Sequence, residues 1–352
     1  MDKTLKRATR DVTIAILNYN GLPYILETIE SIQDLDYPNF KIIIVDDGST
    51  DSSVSYVQRL YPNIKIFLMG HNTKRLNKVR NRAIKHADTE LVLITDNDIT
   101  FETDCLRILV EKIETLPDAG VLTPRVMYKH EKDRIYIDRN DFHYLCCSID
   151  NNRNRKVKNL SNKSNSVTRS FGCGIMLIDK TKACKINLFD EDYVMGWGDD
   201  GEFHHRMNLA GFTCYSVSNA LVYHEAIKGK PRIYGQVFNR WLLILGSYSL
   251  KTIIVCIPML IIYEFALIAF LLRKNGLKDY YRAMKNILMN FNSCIEKRKN
   301  VQKYKIKKDN DLMTSGKMFL TDMHKESSVL KVGFNFLNIM FNVYWYLIGL
   351  LY

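Results

Sequence analysis

Four short aliphatic runs crowd into the first hundred residues, at 11–17, 40–45, 64–69 and 91–95, and each leads through a turn toward a helix or a polar cluster. Runs of Ile, Val and Leu this short read as strands buried on both faces, the usual appearance of a parallel sheet. Between them, Leu22, Ile25, Leu26, Ile29 and Ile32 recur at helical spacing. A second helix follows the turn at Asp51, and a third, basic one carries Arg75, Lys78, Arg80 and Arg82. This alternation leaves few folds open. It predicts an α/β chain with a Rossmann-like, mostly parallel central sheet, right-handed crossovers and flanking helices.

Open sheets of this kind bind ligands outside the carboxyl ends of their strands. Here the fourth run emerges as Asp96-Asn97-Asp98, the first as Asn18-Tyr19-Asn20-Gly21 and the second as Asp46-Asp47-Gly48-Ser49-Thr50-Asp51. Two carboxylates two residues apart can hold one hard cation, which commonly bridges the phosphates of a nucleotide. Asp and Asn are equally ordinary turn residues, so the triple alone does not separate a cation site from a solvated turn. Three polar strand ends around one edge ask for more than solvation.

In these stretches the chain resembles the family 2 glycosyltransferases of the GT-A fold, inverting enzymes that use nucleotide sugars. Thr13-Ile-Ala-Ile-Leu-Asn18-Tyr19-Asn20 resembles the family's opening strand and turn, and Ile44-Val45-Asp46-Asp47-Gly48-Ser49-Thr50-Asp51 its nucleoside-contacting turn. Asn72 with Arg80-Asn81 matches a third element, Asp96-Asn97-Asp98 the metal motif, and Gly196-Trp197-Gly198-Asp199-Asp200-Gly201-Glu202 through Arg206 the late acidic motif. His224 stands where the family often has a histidine. The likeness covers about residues 11–225. It departs at Thr73-Lys74-Arg75, where small residues are usual, and at Asp199-Asp200, where Glu-Asp is commoner.

The resemblance implies roles. Asp98 would be the main ligand of a divalent cation, Mn²⁺ or Mg²⁺, with Asp96 nearer the ribose and His224 a further metal or phosphate contact. Asn18, Asn20, Asp46, Asp47, Ser49 and Asn97 would surround the nucleotide sugar, with Asp46 on the base and Arg80 beside it. Asp200 would be the general base and Asp199 would orient the acceptor. Sugar transfer needs these three services: charge on the leaving diphosphate, an anchored nucleoside and a base for the acceptor hydroxyl. Trp197 and the segment Phe171-Gly172-Cys173-Gly174 suit an acceptor sugar, through an aromatic face and close backbone approach, although core packing and a tight turn explain them as well. For His224 a plain core or surface histidine is the alternative. Residues 151–166, rich in Asn, Lys and Ser, read as a mobile loop: a lid, or a plain insertion.

Eight scattered cysteines without metal spacing, and no cleavable signal peptide at the start, lead us to expect reduced thiols in a cytoplasm. A formal charge of +12 could serve nucleic acid, but no nucleic-acid motif is present. The charge collects instead between two apolar segments. Residues 252–272 would reach about 32 Å as a helix, near the hydrocarbon thickness. Residues 332–352 are rich in Phe, Trp and Tyr, and the stretch 273–331 between them holds 15 Lys/Arg against 6 Asp/Glu, a net of +9. Were the first segment to span, that basic stretch would lie outside, against the positive-inside tendency. Pro258 and Glu264 also interrupt it. The expectation is therefore a re-entrant or interfacial helical hairpin, with the basic loop on anionic headgroups; a buried core helix is the soluble alternative.

The expected organisation is a catalytic domain over 1–235, with a nucleotide-sugar half at about 11–125 and an acceptor half at about 126–235, then a helical membrane-associating region over 236–352. The expected function is metal-dependent transfer of one sugar to a lipid-linked or cell-surface glycan at the cytoplasmic face of the membrane. A processive polysaccharide synthase is the rival within the fold. It would carry Gln-x-x-Arg-Trp, whereas Gln236-Val-Phe-Asn-Arg240-Trp241 is one residue longer. A non-catalytic nucleotide-sugar-binding protein would tolerate losing the carboxylate at 200, which this chain keeps.

Overall fold

The structure, a computed structural model, describes residues 10–160, 167–225, 232–318 and 327–349. The first half alternates as expected: β1 (Val12–Asn18), α1 (Ile25–Gln33), β2 (Phe40–Asp46), α2 (Ser53–Leu60), β3 (Lys65–Leu68), α3 (Leu76–His86) and β4 (Leu91–Asp96). Next come β5 (Ile99–Phe101), α4 (Cys105–Thr115), β6 (Ala119–Tyr128), β7 (Glu131–Ile137) and the hairpin β8 (Asn140–His143) and β9 (Cys147–Asp150). The catalytic half closes with β10 (Val167–Arg169), β11 (Met176–Asp179), α5 (Lys180–Lys185), α6 (Asp199–Leu209) and β12 (Thr213–His224). Five helices remain: α7 (Ile233–Ser247), α8 (Leu250–Arg273), α9 (Leu277–Met289), α10 (Phe291–Tyr304) and α11 (Ser328–Gly349).

Most strands join in one curled sheet in the order β10-β12-β6-β11-β4-β1-β2-β3, with β5 added on β12 and β7 on β6, while β8 and β9 pair only with each other. β1 lies parallel to both β2 and β4, with Asn18 opposite Asp46 and Leu17 opposite Asp96. Backbone pairing alone therefore sets the three polar strand ends side by side. The second half is mixed, because β11 enters from the 171–174 loop without a crossover helix and runs antiparallel to β4 and β6. The unbroken aliphatic runs are explained by cover on both faces. Ile14, Ile16 and Leu93 pack under α1 and α4, while Ala15, Leu17, Val45 and Ile94 pack under α3 and α6.

Two expectations need correction here. Helix α1 starts at Ile25 and not at Leu22, because the Leu22 N–H is drawn to Asp51 Oδ2 at 3.0 Å and Gly21 closes a turn onto Tyr24 and Ile25. The 151–160 part of the supposed mobile loop is stitched down: Asn151 donates to Asp141, Asn152 to Asp138, and Ile135 N to Arg155 O. Residues 161–166, which complete that stretch, lie outside the described residues.

The C-terminal helices do not form a separate body. Phe142, Phe171, Tyr193 and Leu209 of the catalytic half share one core with Phe238, Leu242, Tyr248, Met259 and Phe341. Helices α9 and α10 return onto α7, and the basic stretch docks on the catalytic half through Lys297 to Asp190 at 2.6 Å and Ile306 N to Leu209 O at 2.7 Å. The hairpin expected within 252–272 is not formed. Helix α8 runs unbroken for 24 residues with Pro258 inside it, on its exposed face. Proline removes one helical hydrogen bond and strains the turn before it; the apolar contacts of α8 with its neighbours outweigh that. Among the described residues α8 is the one helix long and apolar enough to cross a membrane. Of the second apolar segment, 332–349 lies within α11, and 350–352 fall outside the described residues.

Candidate active site

The strand ends expected to hold the nucleoside form a closed polar knot. Asn18 Nδ2 donates to Asp46 Oδ2 at 2.7 Å and lies within 3.1 Å of the Ser49 and Ser53 hydroxyls. Asp46 Oδ1 accepts the backbone N–H groups of Gly48 and Ser49. Asp46 is buried, and what it gives the site is the shape of this turn. Asn20, at φ +50°, accepts the Thr50 N–H, and its own N–H goes to Ser49 Oγ. Asp47 accepts the Thr73 N–H at 3.0 Å and so fastens the departing Thr73-Lys74-Arg75 stretch to the turn. Gly48 is obligatory: its φ is +77°, and a Cβ would strike the backbone of His71 and Asn72. Asn97 faces inward, donating to Asn18 Oδ1 at 2.8 Å.

The residues expected to hold a cation come from the end of β4, the turn after it and the end of β12. Asp98 Oδ2 stands 3.2 Å from His224 Nε2. Burial and the charge of Asp98 push the Asp96 carboxyl above its ordinary range, while Arg80 and His224 pull the other way. Burial works against charge on His224, but its hydrogen bond to Asp98 and the carboxylates of Asp98, Asp96 and Glu225 prevail and raise its pKa. Among the described residues no three such side chains already converge as a cage. The donor set nonetheless suits a hard divalent cation: two carboxylates that repel one another, with an imidazole beside them. Oxygens of a bound diphosphate would supply the remaining ligands.

The residues expected on the acceptor side stand at the head of α6. Gly198, at φ +87°, turns the chain into the helix, and Asp199 and Asp200 open it. Their carboxylates are separated by their partners. Asp199 accepts from Arg80 Nη1 at 2.8 Å in a pair almost wholly buried. Burial raises the Asp199 carboxyl, with Arg80 opposing and Asp200 adding to the rise. Asp200 is partly exposed and accepts the Gly201 N–H at 2.8 Å. Arg80 is thus on Asp199 and Asn77, and not beside Asp46 as the sequence suggested; α3 aims it across the sheet edge toward α6.

The 171–174 loop lies between the two ends. A Cβ on Gly172 would sit 3.7 Å from Asp200 Oδ1, and one on Gly174 3.6 Å from Asp96 Oδ2. Gly172 itself is at φ +77°. Cys173 is buried and its thiol is pushed up to about 12 by burial, which leaves it a packing residue. Trp197 is only partly buried, and its carbonyl accepts from Asn239 of α7 at 3.0 Å.

Sequence reasoning missed several supports. Asn77 holds Arg80 and donates to the Asp190 and Asp199 carbonyls; its place one helical turn before Arg80 was the available signal. His204 accepts the Gly172 N–H at 3.0 Å and Asn140 donates to the Gly172 carbonyl. The Tyr136 ring lies 4.8 Å from that of His224. No motif marks Asn239, Asn140 or Tyr136. Arg240, which a processive synthase motif would aim at a polymer, is buried against Glu264 of α8, and Gln236 is exposed.

The N-terminal sheet has relatives. Residues 13–183 match the family model described as glycosyl transferase family 2. Poly(ribitol-phosphate) beta-N-acetylglucosaminyltransferase TarS of Staphylococcus aureus is 29% identical over 35% of this chain, which covers 27% of TarS. Poly-beta-1,6-N-acetyl-D-glucosamine synthase of Staphylococcus epidermidis is 27% identical over 36% of this chain and 32% of its own length. The chain thus spans about a third or less of these two relatives. Glycosyltransferase GlyG of Streptococcus pneumoniae is 24% identical over 61% of this chain and 70% of GlyG. Two solved structures share the fold: GalNAc-T7 with UDP, GalNAc and Mn²⁺ (TM-score 0.54, 14% identity, 68% of this chain and 49% of that one) and S. aureus TarS 1-349 in complex with UDP (TM-score 0.51, 18% identity, 83% and 90%). Over residues 13–183 this chain is therefore similar to glycosyl transferase family 2, and its sheet has the GT-A fold of the two solved structures.

Proposed function

We propose that this chain is an inverting glycosyltransferase that moves one sugar from a nucleotide-diphosphate sugar to a hydroxyl of a lipid-linked or cell-surface glycan. The observation that carries the reading is the difference between the two carboxylates opening α6. Asp199 is committed to Arg80, and Asp200 stands at the Gly172 side with solvent access. A group that takes the acceptor proton must reach the incoming hydroxyl, and Asp200 meets that need while Asp199 does not. Inversion asks that nucleophile and leaving group lie on opposite sides of the anomeric carbon. Asp200 lies by Gly172 and Asp96 by Gly174, at the two ends of one short loop, which leaves room between them for a sugar undergoing a single displacement. A divalent cation held by Asp98, with His224 and Asp96 beside it, would act as a Lewis acid toward the leaving diphosphate. The Asn18–Asp46–Ser49 knot anchors the nucleoside, so that its binding orients the reacting sugar.

One of the relatives is named an N-acetylglucosaminyltransferase and another a poly-N-acetyl-D-glucosamine synthase, and both solved neighbours hold UDP, so a UDP-sugar is the first donor to test. Nucleotide sugars are cytoplasmic, which puts the site on the cytoplasmic face. The test is a thermal-shift panel of UDP-, GDP- and dTDP-sugars with and without Mn²⁺ or Mg²⁺, since a ligand of the native state raises its stability. One donor is expected to stand out in the presence of metal, and Asp98→Ala to cancel that difference. Equal shifts in EDTA, or none with any donor, would reject the proposal.

A further inference from the structure

Exposed large apolar side chains gather on two of the C-terminal helices. On α8 they are Leu250, Ile254, Ile257, Ile261, Phe265 and Leu272; on α11 they include Val332, Phe336, Ile339 and Val343. The steps within each set are three, four or seven residues, so each set follows one side of its helix. The two helices are neighbours, joined by Tyr344 Oη to the Val255 carbonyl at 2.6 Å and by Tyr263 against Phe341. Neighbouring exposed apolar stripes of this kind mark a contact surface.

The other face of α8 is tied from end to end to α7, α9 and the segment around Asp309, which share one core with the catalytic half. At its start, Ser249 N donates to Asp309 Oδ2 at 2.7 Å. Near its middle, Glu264 pairs with Arg240 and accepts from Trp241 Nε1 at 3.1 Å and Tyr280 Oη at 2.6 Å. At its end, Gly276 is packed so tightly that a Cβ would sit within 2.8 Å of Ile233 and Leu271. A helix of 24 residues is about 36 Å long. With both ends and the middle fixed to one folded body, α8 cannot carry its ends to opposite sides of a bilayer.

We infer that α8 and α11 form a monotopic membrane-docking face that lies in the plane of an anionic leaflet, with neither helix crossing it. Charge selects this occupant over a second copy of the chain. Arg273 closes α8, and Lys278, Arg282 and Lys285 are exposed on α9, beside the apolar Tyr281 and Leu288. A twofold dimer on this face would bring two such basic rows together, since an isologous contact meets itself; anionic headgroups neutralise them. Apolar burial plus basic contacts are the two signals that stable attachment takes.

A corollary rests on the transferase reading. Helix α7 carries the acceptor loop on one side, where Gly235 meets Gly196 and Asn239 holds Trp197, and carries α8 on the other through Arg240 and Trp241. The acceptor end is then about one helix diameter, roughly 10 Å, from the docking face. That suits an acceptor glycan on a lipid whose head group lies in the same leaflet.

The docking face is tested without any sugar. Full-length protein is floated with phosphatidylcholine vesicles and with vesicles that also contain phosphatidylglycerol. Preference for the anionic vesicles is expected, with binding retained in high salt. The triple variant Ile257→Glu, Ile261→Glu, Phe265→Glu is expected to lose partitioning by roughly tenfold or more, with an unchanged melting curve. In a Cys184→Ser background, an environment-sensitive dye on Ile254→Cys, Ile261→Cys or Leu272→Cys reports depth, and this arm holds even if the triple variant misfolds. Equal, shallow depths support the inference. A deep Ile261 between shallow ends would show a span and overturn it. So would a protein indifferent to vesicles that forms a dimer dissolved by the triple variant.

Discussion

At the scale of single residues, the site depends on which carboxylate keeps its freedom. Asp199 and Asp200 are adjacent in sequence and differ because α3 delivers Arg80, braced by Asn77, to one of them. The substitution Asp200→Asn keeps shape and removes the proton acceptor. We expect kcat to fall by roughly 10²- to 10⁴-fold with donor binding retained, as for loss of a general base. The substitution Asp199→Asn leaves Arg80 buried beside a neutral amide, so its first effect should be a lower melting temperature. Steady-state kinetics and a donor thermal shift on both variants separate the roles. An active Asp200→Asn beside a folded but inactive Asp199→Asn would reverse them.

At the scale of elements, what the sequence made legible is what period and strand-end chemistry determine. The runs at 11–17, 40–45 and 91–95 became β1, β2 and β4, and their register brought Asn18, Asp46 and Asp96 together. The turn residues were found, and the direction of their side chains was not. Nothing in the chain announces that Asp46 turns inward on Gly48 and Ser49, or that Arg80 reaches α6, because both depend on contacts across the sheet edge. Helix α8 shows the same limit. Its composition fits a span, a hairpin or a core helix, and Glu264 looked like an interruption. In the fold, the partly buried Glu264 is the link between α7 and α8: it pairs with the buried Arg240 and accepts from Trp241 and Tyr280. Removing one member of a buried ion pair typically costs about 3–5 kcal/mol, because the other charge is left without compensation. Glu264→Ala is expected to lose that much in denaturant unfolding, and Arg240→Leu added to it should restore a good part. If Glu264→Ala melts like the parent, the pair does not hold α8 in place.

At the scale of the whole molecule, the sequence suggested a catalytic domain that could be cut from its helices, and the shared core argues otherwise. Tyr144 stacks on Trp345 at 4.7 Å and donates to the Phe341 carbonyl, so a chain ending near residue 248 would bare Tyr144, Phe142 and Phe171. Such a truncation is expected to be insoluble, and a monodisperse, nucleotide-binding product would show that the halves are separable. The same core holds three buried histidines. Burial lowers His143 and His204 to about 3 and His205 to about 4. Unfolded histidine titrates near 6.5. Below about pH 6.5 the unfolded chain therefore takes up protons that the native state refuses, and stability falls as pH falls through that window. Each such group contributes a slope of up to about 1.4 kcal/mol per pH unit. His224 is raised and is protonated in both states across pH 5–6, so its opposite contribution lies higher; the raised carboxylates of Asp96, Asp199 and Glu202 oppose the trend lower down. The steep region should be pH 5–6, with little change in these three groups above pH 7. His205 isolates the cause. Its ring packs 4.6 Å from Phe142, with Phe171 and Tyr248 also around it, and neither ring nitrogen meets a hydrogen-bond partner among the described residues. His205→Phe keeps the shape and removes two unsatisfied polar atoms, which should stabilise the protein at pH 7 by about 1–3 kcal/mol. It should also reduce the proton uptake on unfolding at pH 5.5 by nearly one. An unchanged pH slope in this variant would mean that His205 finds a proton or a partner in the native state, and that this core is wetter than its packing indicates.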